Sequence, residues 1–407
     1  MSPDLLISLL VYMAADGGRR GYQHLLDAFW DEAKANQVPM PIDQPVSTAA
    51  FCNARKKLGA SAVRQLLRDT SVAFERAHGL RHRFHGRRVL AVDGSKVPVQ
   101  RSPELWDEFG GHYDGYVPQI LVSVLFDVIA RVPIDATIAP YASDERVQLA
   151  HLLASTRDGD ILVLDRGFPS YVVIDLLIEH GIDFVIRVPV SGYRAVEEFV
   201  RSVRGEANSV LTPSPNTPAS VLEPRHLRAV RRLDPDGEPQ VFLTTLPRTP
   251  FRHADICDLY QRRWQIELFY RLEKSDYIGH RQFHAKFPEG VRQEVFAFLL
   301  FTAISRTLSL VITQRTANVT KSILNQCNTV FGLRVFDATG MEFLKNYIGE
   351  DYAGVLSTLE DRHAVWPDRA ARRKGDRADQ CRRVSAWATA GHGRGRNLRR
   401  AALGRHN

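Results

Sequence analysis

Residues 87–95 read RRVLAVDGS. An apolar run that closes on Asp-Gly looks like a buried strand stopped by a turn signal. The pattern recurs at 158–168, DGDILVLDRGF, where the apolar run again closes on an acidic residue ahead of a glycine. Between and after these lie VPQILVSVLFDV (117–128), a second β-rich run, SYVVIDLLIEHG (170–181), a helix with Gly181 just beyond it, and IDFVIRVP (182–189), a further strand. Strands alternating with helices define an α/β core. Each acidic strand end places a carboxylate, Asp93 and Asp165, at the mouth of the sheet. Taken singly, such an aspartate reads as a turn or N-cap residue. Taken together, two of them are the start of a hard-cation site, which a third carboxylate from a helix would complete.

Toward the N-terminus, residues 1–78 carry helical spacing in Leu5, Leu9 and Tyr12 and in Leu25, Phe29 and Ala33. The run DLLISLLVYMAAD has about ten apolar positions, short of the roughly 20 that span a bilayer. Asp4 stands where a signal peptide would be basic, so the run reads as a buried helix. In PVSTAAFCNARKKLG (45–59), Ser47 or Thr48 caps a helix ending near Gly59. Its Arg55, Lys56 and Lys57 form either a solvated basic end or a DNA-backbone contact.

Toward the C-terminus the texture changes between about residues 191 and 250. LTPSPNTPAS (211–220) is loop-like, and the strand-like runs HLRAVRRL (226–233) and QVFLTTL (240–246) flank the turn residues DPDGEP. This reads as a β-rich insertion, and its Arg225, Arg228, Arg231 and Arg232 are either structural or phosphate-binding. Helices follow, among them VRQEVFAFLLFTAISRTLSLVI (291–312), apolar enough to be buried. The expected organisation is a helical N-terminal DNA-binding region (1–78), a core in two parts (79–190 and 251–313) split by the insertion (191–250), and a helical C-terminal region with a basic tail (314–407).

Between insertion and buried helix lies YQRRWQIELFYRLEK (260–274). On one continuous helix, Tyr260, Arg263, Glu267 and Lys274 fall within about 60° of each other, flanked by Trp264 and Arg271. A carboxylate among cations and a phenol suits a metal-bound phosphate, with Arg as a planar fork and Lys as a point charge. The same spacing also makes an i,i+4 salt-bridge ladder, Arg263–Glu267–Arg271, on a surface helix. Leu259, Ile266 and Phe269 lie off the stripe and can pack on the core.

Composition sets the outer limits. The 407 residues suggest two to three domains, and 44% hydrophobic content is ordinary for a globular protein. The formal charge of +8 is concentrated at the end: residues 361–407 sum to +9, leaving about −1 for the rest. A DNA-binding argument for the body therefore rests on local clusters. The tail, rich in Arg, Gly and Ala, has the composition of a poorly ordered segment. Four scattered cysteines give neither a zinc framework nor a disulfide scaffold, which suits a reducing cytoplasm. HRQFH (280–284) lacks the glutamate of a zinc protease, and neither a P-loop nor a G-x-S-x-G elbow is present in the sequence.

The spacing of Tyr260, Arg263, Glu267 and Lys274 resembles the Y-x2-R-x3-E-x6-K signature of the IS4 family of bacterial DDE transposases. Trp264 fits that family's usual R-W. VLAVDGS and VLDRGF resemble its first and second aspartate segments, 72 and 102 residues being the two separations along the chain. PVSTAAFCNARKKL and FPEGVRQEVFA resemble further family stretches, so the likeness runs from about residue 45 to 310.

The resemblance implies an RNase H-like catalytic core, a mixed sheet flanked by helices, interrupted by a β domain. It implies that Asp93, Asp165 and Glu267 hold two Mg²⁺ or Mn²⁺ ions for hydrolysis at transposon ends and strand transfer into target DNA. Tyr260 and Arg263 would contact phosphate, Lys274 would position the end, and Trp264 and Arg271 would lie against DNA. The implied partners are double-stranded DNA (terminal inverted repeats and target) and a second copy of the chain, in the cytoplasm at the bacterial nucleoid. Phe242 is a candidate for stacking on a flipped base. The alternatives are a nuclease on the same scaffold without strand transfer, and a non-catalytic DNA-binding protein derived from a transposase.

Overall fold

The computed structural model describes residues 1–16, 20–79, 82–213, 223–272 and 283–312, with three short strands beyond. The chain divides into two compact units, Met1–Leu308 and Ser309–Asn407. In the second unit the described residues form a three-stranded antiparallel sheet of Gly332–Leu333, His363–Pro367 and Cys381–Ser385.

The first unit opens with four helices, α1 (Pro3–Asp16), α2 (Tyr22–Ala35), α3 (Thr48–Lys57) and α4 (Ala60–His78). α1 buries Leu5, Leu6, Leu9, Leu10, Met13 and Ala14. Ser47 caps α3 by accepting a hydrogen bond from the Ala50 amide at 3.2 Å, which satisfies one of the orphan donors of a helix start. Arg55 does not join a solvated basic end. It is 1% exposed, paired with Glu294 at 2.8 Å, and it donates to Gln293, the Gly290 carbonyl and the Tyr22 hydroxyl. Lys56 and Lys57 remain exposed.

The sheet begins with β1 (Val89–Pro98), β2 (Gln119–Asp127) and β3 (Val132–Pro140), an antiparallel meander with α5 (Pro103–Phe109) in its first connection. After α6 (Glu145–Leu152) come β4 (Ile161–Leu164), α7 (Tyr171–Glu179) and β5 (Asp183–Val188), with β4 parallel to both β1 and β5. The order β3-β2-β1-β4-β5, with only β2 reversed, is RNase H-like. Leu90, Val92, Leu162, Leu164, Phe184 and Ile186 share one core cluster with Leu149 and Leu152 of α6 and Ile174 and Leu177 of α7. These near-continuous apolar runs are what strands covered on both faces require.

After α8 (Arg194–Arg201), the strands β6 (Glu206–Leu211), β7 (Arg225–Leu233) and β8 (Pro239–Thr244) are not a separate layer. β8 pairs antiparallel with β5, and the sheet continues as β5-β8-β7-β6 to eight strands. Arg225 pairs with Asp175 and Glu179. Arg228 is buried, pairing with Glu206 and donating to the carbonyls of Leu246, Pro247 and Phe251. Both arginines are thus committed to holding these strands in place.

The Asp-Gly at 93–94 does not end β1, which runs on beside β2 to Pro98. The turn reading fails because Gly94 and Ser95 keep their ladder partners, Ser123 and Val122. α9 (His253–Arg262), α10 (Trp264–Leu272) and α11 (Pro288–Ile312) complete the described helices. The stretch from Tyr260 is therefore two helices. At the break the Arg263 amide bonds back to Tyr260 and the Ile266 amide to Arg263, so the spacing tightens to i,i−3. No helix among the described residues is long and apolar enough to cross a membrane.

Candidate active site

β1 and β4 run parallel with Ala91 opposite Val163. Two residues further along the same register, Asp93 stands level with Asp165, where β4 has ended and β1 continues. Asp93 Oδ1 accepts from the Gly94 amide at 3.0 Å, and Asp165 Oδ1 from the Gly167 amide at 2.8 Å. Both side chains are half-buried. Burial raises the Asp93 carboxyl to about 7, with further upward pushes from Asp165 and Glu145 that Arg263 opposes only in part. Like charges near Asp93 add to the effect of burial in favouring its protonated form.

α10 lies against β1 and is tied there by Tyr270. Its hydroxyl donates to the Asp93 carbonyl at 2.8 Å and approaches the Val122 carbonyl at 3.2 Å. One turn earlier is Glu267, half-buried and ion-paired to Arg263. The Arg263 guanidinium is 8% exposed and lies 5.5 Å from the centre of the Tyr260 ring. Burial works against its charge, but Tyr260, Glu267 and Asp165 outweigh that and hold it firmly protonated. Its Nε has no hydrogen-bond partner.

The structure thus groups Asp93, Asp165, Arg263, Glu267 and Tyr260. The Arg263–Glu267 half of the salt-bridge ladder is real, and it sits in the site rather than on the surface. Trp264 is 49% exposed beside this group. Lys274 lies outside the described residues, as does the side chain of Arg271. Phe242 cannot stack on a base: it is fully buried under Tyr260, the ring centres 4.6 Å apart. Leu259, Ile266 and Phe269 are buried, as their off-stripe positions require.

Two residues near Asp93 have no distinct signal in the sequence. Tyr270 reads as one aromatic among several in its helix. Glu145, the first residue of α6, follows a helix-capping Asp144 whose side chain accepts from the Arg146 amide at 2.8 Å. An acidic residue in a first helical turn is commonplace.

The resemblance to DDE transposases implies a divalent ion at this site. Hard carboxylate oxygens are the donor chemistry such an ion takes. As the side chains stand, no three of the described His, Cys, Asp and Glu residues are grouped to hold one, and Glu267 is ion-paired to Arg263.

An RNase H-like sheet with Asp93 on β1, Asp165 just past the end of β4 and Glu267 on α10 is the arrangement that the resemblance to DDE transposases leads one to expect. The sequence model of the family described as Transposase DDE domain matches residues 84–304, and the chain belongs to that family. It is 25% identical over 277 residues to the transposase InsG for insertion sequence element IS4 of Escherichia coli (strain K12), covering 65% of this chain and 61% of that protein. The chain therefore spans about three-fifths of the length of that relative. Among solved structures it is similar to the piggyBac transposase synaptic complex with hairpin DNA at 11% identity and a TM-score of 0.43, covering 87% of this chain and 75% of that one. The Mos1 transposase paired-end complex follows at a TM-score of 0.18 and 11% identity, with 44% and 57% covered. Both scores are too low to bear on function.

Proposed function

We propose that the chain is an insertion-sequence DNA transposase that cuts at transposon ends and transfers the strand into target DNA. The observation that carries this reading is the juxtaposition of Asp93 and Asp165 in one sheet register with α10, which brings Glu267 and Arg263 to the same place. Asp93, Asp165 and Glu267 would hold Mg²⁺ or Mn²⁺, two ions in the full site. Such ions, when bound, polarise the phosphodiester and favour the attacking and leaving oxygens.

The rest belongs to the chain's own residues. Arg263, ion-paired to Glu267 and held firmly protonated, is the proposed contact for a non-bridging phosphate oxygen. Tyr260, packed on Phe242, fixes Arg263 from beneath. Tyr270 holds α10 on β1 through the Asp93 carbonyl, so a shift of the helix is coupled to the aspartate's backbone. Exposed Trp264 offers a face to DNA bases or sugars. Lys274 and Arg271 complete the proposed DNA contacts, residues 1–78 form the proposed DNA-binding region, and two copies of the chain work on paired ends.

The test uses full-length protein, Mg²⁺ and a DNA fragment carrying the terminal inverted repeats that flank the gene. Wild type is expected to cut at the repeat boundary. Glu267→Ala is expected to lose cutting by a factor of at least about 10³ while still binding the fragment, in line with removal of an electrostatic group from a transition state. Cutting retained by Glu267→Ala would remove that residue from the site. Cutting without joining to target DNA would favour a nuclease on the same scaffold.

A further inference from the structure

Residues level with one another on neighbouring strands share a face of the sheet, one strand spacing of about 4.8 Å apart. On the parallel pair β4 and β5, Leu164 stands opposite Ile186. One residue further along that register Arg187 is level with Asp165, as Asp165 is level with Asp93. Asp93, Asp165 and Arg187 therefore form a row across β1, β4 and β5.

The pairing on the other side of β5 gives the same placement independently. Arg187 stands directly opposite Phe242 of β8. Opposed residues of an antiparallel pair project from one face, their Cβ atoms about 5 Å apart. On that face Phe242 is covered by Tyr260, the ring centres 4.6 Å apart, and the Arg263 guanidinium lies 5.5 Å from the Tyr260 ring. The alternate residues Val92, Leu164, Ile186 and Leu243 belong to the core cluster on the opposite face. Arg187 is thus on the face that carries the aspartates, Tyr260 and Arg263.

Its charge is unengaged. Arg187 is half-buried and has no hydrogen bond or ion pair among the described residues. Other arginines of this sheet close on carboxylates. Arg87 pairs with Asp183 at the opposite end of β5, at 2.6 Å, Arg88 with Asp160, Arg225 with Asp175, and Arg228 with Glu206. Arg263 itself is held by Glu267. A guanidinium drawn partly out of water without a counter-charge is unfavourable, and a bound anion would relieve it.

We infer that Arg187 is a further DNA contact of the transposase site, its guanidinium forking onto a backbone phosphate on the β5 side of Asp165. This rests on the proposed function, and it gives the site a cation that Glu267 does not already hold.

The experiment measures binding of full-length protein to the repeat-bearing duplex in EDTA by fluorescence anisotropy, over a series of salt concentrations. Thermal melts of each variant and cutting in Mg²⁺ are run alongside. Arg187→Gln is expected to weaken binding about tenfold, the scale of a lost charged hydrogen bond. It should also lower the slope of log binding constant against log salt by about 0.9, one phosphate contact. Arg187→Lys keeps the charge and should keep the slope. Combined with Arg263→Ala, Arg187→Gln should lower the slope by about 1.8, two separate contacts. A wild-type slope in Arg187→Gln, whether or not the variant melts lower, overturns the inference, and cutting by wild type then leaves the proposed function standing. If wild type neither prefers the repeat-bearing duplex to a scrambled one nor cuts it, the proposed function fails and the part given to Arg187 fails with it.

Discussion

Asp93 and Asp135 are aspartates of one sheet, half-buried on β1 and fully buried on β3, and their surroundings treat them in opposite ways. Asp135 is fully enclosed and receives Arg64 at 2.8 Å, Arg68 at 2.7 Å and the Ser155 hydroxyl at 2.7 Å. Burial alone would raise its carboxyl, but these three partners outweigh that and hold it below the usual carboxylate range. Asp93 has one amide donor, and burial, reinforced by the Asp165 and Glu145 carboxylates, raises it to about 7. A buried charge with every partner in place joins elements, here α4 to the sheet edge. A buried charge pressed against others of the same sign is poised for a ligand.

Opposite shifts predict opposite pH behaviour. Removing Asp135 has the larger effect. Asp135→Ala should cost about 3 kcal/mol at pH 7, the low end for breaking a buried ion pair, because Arg64 and Arg68 are partly exposed. Its folded-state pKa lies below its unfolded value. The stability it contributes is therefore present above about pH 4 and lost as pH falls through the folded value. Urea melts of Asp135→Ala and wild type should converge in acid; a constant gap down to pH 2 would break the contrast.

Asp93 carries the reverse sign. Its folded pKa is above its unfolded one, so between about pH 4 and 7 the folded state binds more protons and stability falls as pH rises. Asp93→Asn should melt a few degrees higher than wild type at pH 8 and near the same temperature at pH 4. A variant less stable at pH 8 would mean that Asp93 is a structural partner like Asp135.

Two smaller effects sharpen the picture. Tyr270→Phe should lower stability by about 1 kcal/mol, the size of one hydrogen bond, and should slow cutting by loosening α10 on β1. Arg263→Ala should reduce the slope of log binding constant against log salt concentration by about 0.9, one phosphate contact. An unchanged slope would count against a phosphate role for Arg263.

The contrast also shows what the sequence could and could not convey. The strand runs, the two aspartates and the pattern of Tyr260, Arg263 and Glu267 are local, and periodicity with spacing exposes them. The joining of β8 to β5 is not local: a strand's partner depends on distant residues, so the sequence shows a β-rich insertion between 191 and 250 without showing which strand it extends. Arg55 was legible only as a member of a basic triplet, since its partners Gln293 and Glu294 lie more than two hundred residues away. Phe242 illustrates the same limit, because an aromatic in a strand gives no sign of the Tyr260 ring covering it. Gly94 was misread for a different reason. Asp-Gly favours turns through the glycine's conformational freedom, whereas here the glycine serves by having no side chain to block Glu145.

The measurement that bears most directly on the account is a paired assay of Asp93→Asn, cutting of repeat-bearing DNA in Mg²⁺ together with thermal melting at pH 8. The account predicts a protein that binds the DNA, does not cut it, and melts above wild type. A variant that still cuts, or that loses cutting only because it melts below wild type, would contradict the assignment of Asp93 to the active site.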